Sequence, residues 1–150
     1  MLALAACGSR SQPPQAVPGN GYRFEAPGGW AVKRAGRTVT ASSHEVLVSV
    51  TTFPLGKLFR PALWPNAVPE LDGVARQLAV ELGGSTSPGE TITVLGRNAR
   101  RYEIGFRRGG RQLKERIVFL LEGRREYELL CRYEHGAGPC ERFLSSFRLT

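Results

Sequence analysis

The chain predicts an α+β fold, an antiparallel β-sheet covered by helices, and three features of its 150 residues carry that expectation. Alternating apolar stretches fall in two groups, residues 21–53 and 91–133. Helical spacing appears between the groups and again after the second. Glycine-rich turns such as Arg108-Gly109-Gly110-Arg111 join neighbouring strands as hairpins. Hydrophobic residues at 41% and charged residues at 23% exclude disordered and fibrous classes and are sufficient for one core. No apolar run reaches the ~18 residues of a membrane-spanning helix.

Each element has a local reason. In residues 21–27, Tyr22, Phe24 and Ala26 alternate with Arg23 and Glu25, a strand. Pro27-Gly28-Gly29 turns the chain, and Trp30 and Val32 begin the next strand. Residues 37–41 are rich in β-branched residues and are expected as a strand, Ser42-Ser43-His44 is expected as a turn, and residues 45–53 place Val46, Val48 and Val50 on one side. Residues 54–68 hold three prolines and are expected as loop. A helix is expected over 69–82, with Leu71, Val74, Ala75, Leu78 and Leu82 on one face, Pro69 in its first turn and Gly83-Gly84 as its stop. Residues 91–106 are expected as one strand kinked near Gly96. The strand 112–121 returns with Leu113, Ile117, Phe119 and Leu121 on one face. Pairing across the glycine turn sets Glu103 beside Arg116 and Glu115 opposite Ile104, so either a bulge shifts the register or a carboxylate sits at the rim of the core. In 126–133, Tyr127, Leu129, Cys131 and Tyr133 share a face. Pro139 then opens a last helix with Phe143, Leu144 and Phe147 as its stripe. The order is βββ-α-βββ-α.

The N-terminus reads as an address. Leu4-Ala5-Ala6-Cys7 resembles a bacterial lipobox, whose small residues precede a cysteine that takes a diacylglyceryl group and becomes the mature N-terminus. Six residues precede Cys7 and none is basic, so residues 1–7 are expected to be a truncated lipoprotein signal; a frayed apolar end with a chance cysteine is the alternative. Residues 8–20, with three prolines, are expected as a flexible tether, leaving 21–150 as the globular domain. An exported chain meets an oxidising compartment, which favours a Cys131–Cys140 disulfide; free thiols, or a metal held by Cys131, His135 and Cys140, are the alternatives.

Chemistry is sparse. No nucleophile elbow or zinc-protease helix occurs, and a Ser/His/Asp triad would need His44 or His135 with Asp72, the single aspartate. His44 is expected as a turn residue, His135 as solvated, and Glu126 and Glu128 as a solvated face. No catalytic residue, metal or cofactor is expected. The net charge of +8 points to anionic partners. Eight cations lie along one hairpin: Arg97, Arg100, Arg101, Arg107, Arg108, Arg111, Lys114 and Arg116. They are a candidate docking surface for anionic lipid or wall polymer, with an Arg-rich composition as the alternative. Nucleic acid is not expected, since aromatic residues are not interleaved with the charges. Phe59, Arg60 and Trp64 combine residue types common at binding hot spots and are a candidate partner contact, unless Trp64 packs down as a lid on the sheet.

The opening Gly21-Tyr22-Arg23-Phe24-Glu25-Ala26-Pro27-Gly28-Gly29-Trp30 and the closing Phe143-Leu144-Ser145-Ser146-Phe147-Arg148-Leu149, together with the element order, resemble the PsbP-like fold of small bacterial lipoproteins of the DcrB and LpqN type. The resemblance spans residues 21–150 and implies a non-catalytic binding or assembly module. The resulting expectation is an envelope lipoprotein, extracytoplasmic and held to the membrane by lipidated Cys7, with an envelope protein as possible partner. An extracytoplasmic hydrolase and a basic polyanion binder are its rivals, the hydrolase calling for a pocket of convergent carboxylates with Glu115 among them.

Overall fold

The computed structural model describes residues 12–150. The proposed signal, its Cys7 and residues 8–11 of the expected tether lie outside the described residues. The fold is α+β, with an eight-stranded antiparallel sheet, a three-stranded sheet and two helices. The strands are β1 (Gln15–Pro18), β2 (Tyr22–Ala26), β3 (Ala31–Ala35), β4 (Thr38–Ser43) and β5 (Val46–Pro54). Helix α1 (Trp64–Leu82) follows, then β6 (Ser85–Thr86), β7 (Glu90–Val94), β8 (Arg97–Arg108), β9 (Arg111–Glu122) and β10 (Arg125–Tyr133). Helix α2 (Gly138–Ser146) and β11 (Arg148–Leu149) close the chain.

The large sheet runs β3-β4-β5-β10-β9-β8, and its far edge, β6 and β7, is one strand interrupted at Ser87–Gly89. Gly109 and Gly110 at φ 57° and 78° close the β8–β9 hairpin, which pairs Glu103 with Arg116 and Ile104 with Glu115 as the alternation requires. No bulge intervenes: Glu115 is 3% exposed.

One face of this sheet packs against the small sheet and α2, and the other against α1. On the first face Val48, Val50, Val118, Leu120 and Leu129 meet Val17, Phe24, Phe143 and Phe147. The two terminal motifs come together here. Phe24 meets Phe143 edge-on at 5.1 Å and Tyr22 meets Phe147 at 5.9 Å, while Ser146 Oγ accepts the Glu25 amide and donates to the Phe143 carbonyl. Each buried aromatic ring contributes roughly 2–3 kcal/mol. The Cys131–Cys140 disulfide ties α2 to β10 across 5.5 Å between Cα atoms. On the second face Leu71, Ala75 and Ala79 of α1 cover Tyr102, Ile104, Phe106, Ile117 and Phe119.

Several details differ from expectation. The expected order βββ-α-βββ-α becomes five strands, α1, five strands, α2 and a closing short strand, and Ser42 and Ser43, expected as turn, end β4. Gln15–Pro18, expected in the tether, pair with Arg23–Ala26, and Val17 is buried in the core. Residues 64–68, expected as loop, are the first turns of α1: Trp64 pins the start and Pro65 needs no helical donor there. Pro69 therefore sits inside the helix, where it forgoes one bond to the Pro65 carbonyl. The kink near Gly96 is a full hairpin, with Leu95 and Gly96 both at positive φ, joining β7 to β8.

Candidate functional site

Two ion clusters fix the second face. On β9, Glu115 would be a stranded charge, but Arg132 is paired directly opposite on β10 and its Nε donates to Glu115 Oε1 at 2.9 Å. The guanidinium also lies 5.4 Å from the Phe106 ring centroid. From α1, Asp72 accepts hydrogen bonds from Arg100 and from Tyr102. Those two bonds hold the Asp72 carboxyl below the usual range, and burial pushes the Tyr102 hydroxyl up. Glu126 and Glu128, expected to be solvated, are half-buried on this face of β10. The alternation is right, but neighbouring side chains pack against that face. Burial first, then the charges of Glu126 and Glu115, pushes Glu128 up to about 7, and burial raises Glu126 as well.

The expected basic hairpin is not one surface. The pleat sends Arg100, Arg108 and Arg111 to one side and Arg101, Arg107, Lys114 and Arg116 to the other, while Arg97 sits at the start of β8. Acids neutralise most of them: Arg97 pairs with Glu122, Arg100 with Asp72, Arg101 with Glu90 and Arg111 with Glu134, while Lys114 and Arg116 share Glu103. Burial pushes the Glu103 carboxyl up, but hydrogen bonds from Tyr133 and Arg116 and the charges of Arg116 and Lys114 outweigh it and hold it low.

The second side nevertheless holds a built feature. A concavity of about 680 Å³ between Ser85–Ser87 and the β8–β9 strands carries Arg101, Lys114 and Arg116 together with Glu90, Glu103 and Glu141. It shares Arg101, Arg116 and Glu141 with a second of about 350 Å³ beside Leu144 and Arg148. That one shares Ser145 and Arg148 with a third of about 390 Å³, where Arg23 and Arg142 meet Ala16 of β1. Together they form one groove running past α2. Sequence density missed Arg23, Arg142 and Arg148, because these come from β2, α2 and β11 rather than from the crowded hairpin.

The other candidates fall elsewhere. His44 and His135, 91 residues apart in sequence, line one groove of about 910 Å³ with Glu45, Arg111 and Glu134. His135 is 89% exposed, as expected. The sulfurs of Cys131 and Cys140 are bonded to each other and so are removed as metal ligands. Trp64 is 8% exposed, which takes the lid reading of the two expected for it and removes it as a partner contact. Its ring packs onto the sheet, Phe59 is half-buried, Arg60 alone is exposed, and Phe59 and Trp64 line a cavity of about 500 Å³ with Leu121 and Arg97. Glu115 lines none of these concavities.

No protein-family model matches the chain, and no curated protein matches it. Among solved structures it is similar to one from Bacteroides thetaiotaomicron at 11% identity and a TM-score of 0.64, over 91% of this chain and 48% of that one. The chain thus spans about half the length of that protein, and the likeness is one of fold. LpqN of Mycobacterium tuberculosis, described as involved in cell envelope biogenesis, aligns at 11% identity and a TM-score of 0.49 over 94% of this chain and 87% of that one. A Pseudomonas aeruginosa protein described as a putative regulator aligns at 20% identity and a TM-score of 0.39, over 79% and 81%.

Proposed function

We propose that this chain is an extracytoplasmic accessory module of the cell envelope, with a PsbP-like domain, anchored to the membrane by lipid on Cys7 and acting by binding rather than catalysis. The observation that carries the reading is the Cys131–Cys140 disulfide, which joins two residues buried at 2% exposure each and locks α2 onto the sheet. A structural disulfide in so small a domain belongs to an oxidising compartment. An exported domain with a cysteine following Leu4-Ala5-Ala6 has a chemical reason for that cysteine. Anchoring by several acyl chains is firm, since each buried methylene adds about 0.8 kcal/mol.

The test is fractionation of cells expressing the protein behind a lipoprotein export signal. Wild type remains in the membrane pellet after a wash in 1 M salt, and its N-terminal peptide carries the mass of a diacylglyceryl thioether. Cys7→Ala appears in the soluble extracytoplasmic fraction. Retention of Cys7→Ala through the salt wash, or an unmodified Cys7 in the wild type, would overturn the anchor.

A further inference from the structure

The groove past α2 has a floor that its own protein leaves incomplete. Arg116 Nε is buried and has no hydrogen-bond partner, the one such buried side-chain atom among the described residues. The rest of that guanidinium is held only loosely, by Glu103 Oε2 at 3.4 Å and by the Tyr133 ring at 5.9 Å. A buried, charged N–H without an acceptor costs free energy; Nε itself has no open surface, but the side chain as a whole is 20% exposed, and a turn of it toward an oxyanion in the groove would give Nε a partner. Arg101 lines the same two concavities from the neighbouring strand, where Glu90 pairs with it at 2.6 Å and leaves the rest of its fork to an incoming oxyanion. Arg148 follows, and then Arg23 and Arg142, neither of which pairs with an acid among the described residues. The cations therefore recur through three concavities that adjoin in succession rather than in one pocket.

We propose that this groove binds a linear, hydrophilic polyanion with repeating phosphate groups, one phosphate seated on Arg116 and Arg101 and its neighbours on Arg148 and the Arg23–Arg142 end. Six cations (Arg23, Arg101, Lys114, Arg116, Arg142 and Arg148) line the three concavities against four carboxylates (Glu25, Glu90, Glu103 and Glu141), and this excess, greatest at the Arg148 and Arg23–Arg142 end, favours an anion. A protein partner is disfavoured because interface centres are apolar, and the large exposed apolar side chains (Val32, Phe53, Leu58, Leu63, Val74 and Val80) line none of the three concavities. Phosphate suits the pair better than carboxylate. A tetrahedral phosphate offers oxygens to two guanidiniums on adjacent strands, whereas a planar carboxylate spends both oxygens on one fork. The groove works in this way whether or not Cys7 carries lipid.

The test uses the full chain, labelled with ¹⁵N, and inorganic polyphosphate as the probe. The arginine Nε–H signal of Arg116 shifts on titration, and affinity falls with salt at a log–log slope of about 2–3, as expected for three or four phosphate contacts. Arg116→Lys keeps the charge but loses the fork and weakens binding about tenfold, with thermal stability unchanged. Arg107→Gln and Arg108→Gln, at the hairpin tip outside the groove, leave binding unchanged. An unmoved Arg116 signal overturns the site, and this readout needs no variant to fold. Equal losses from the hairpin-tip variants reduce the effect to diffuse charge and overturn it as well. Orthophosphate binding as tightly as polyphosphate refutes a linear ligand, and polyglutamate binding as tightly refutes phosphate.

Discussion

Replacing Glu128 by Gln should make this protein more stable at pH 8 and nearly indifferent at pH 5. Glu128 lies on β10 between Thr51 of β5 and Phe119 of β9, with Glu126 and Leu130 two residues to either side on the same face. The cation on that strand face, Arg132, is committed to Glu115. Burial and the two neighbouring carboxylates hold the folded group near 7, against 4.5 ordinarily. Below pH 4.5 the group is protonated in both states and carries no penalty. Between 4.5 and 7 the folded state binds more protons than the unfolded one, so stability falls as pH rises. Above 7 both states are ionised and the penalty is constant. A gap of about 2.5 pH units at about 1.36 kcal/mol each sets a penalty on the order of 3 kcal/mol. Glutamine has the same shape and no charge to desolvate. Urea unfolding followed by far-UV circular dichroism, at pH 5, 6, 7 and 8, should show the variant gaining under about 1 kcal/mol at pH 5 and about 2–3 kcal/mol at pH 8. Low-pH losses from Asp72 and Glu103, whose carboxyls are held low, occur in both proteins and cancel in the difference. A difference that is flat with pH, or a variant less stable at pH 8, would refute the reasoning.

Three further outcomes follow from the packing. Cys131→Ser with Cys140→Ser opens a loop closed over a separation of 9 residues, which should cost about 2.7 kcal/mol and lower Tm by roughly 10 °C in calorimetry; a loss below 1 kcal/mol would contradict the chain-entropy account. Glu115→Leu or Arg132→Met alone should cost about 3–5 kcal/mol, because each strands its partner, whereas the double variant should recover most of that in a denaturation cycle; additive losses would mean the pair is not coupled. Trp64→Ala should cost about 3–5 kcal/mol by the same measurement, as a core deletion does, and a cost below 1 kcal/mol would return Trp64 to the surface.

The legible parts of the fold were those in which local chemistry and pairing agree. Two glycines in the tight turn fix the β8–β9 register, and from that register Glu115 falls opposite Ile104. What settles Glu115 is Arg132, which comes from the next hairpin, so no single hairpin read alone contains the answer. β1 was illegible for a related reason. Gln15–Pro18 has one core residue, Val17, and two others that favour loops or solvent, and it is a strand only because β2 offers it a free edge. Leu95 hid a turn because a leucine at positive φ carries no turn signal. At the candidate site, crowding of arginine along the chain misled. The pleat divides adjacent arginines between two faces, and the groove is assembled from β2, β8, β9, α2 and β11.

The strand β1 also changes what the N-terminal segment can do. As a tether of residues 8–20 it would let the domain wander about 45 Å from an anchor at Cys7. Because Gln15 is already paired with Ala26, the span from Cys7 to the folded domain is at most about 27 Å. Ala16, the next residue of β1, lines the groove end that holds Arg23 and Arg142. A lipid on Cys7 and a polyanion in the groove would therefore be held within one short leash of each other. Under the proposed anchoring, the Arg23–Arg142 end of the groove would lie within that reach of the membrane surface. There the high local concentration of a surface-attached polymer would offset a modest intrinsic affinity. Lengthening the segment between Cys7 and Gln15 would weaken that coupling without touching either site, so the leash and the groove are separable by experiment.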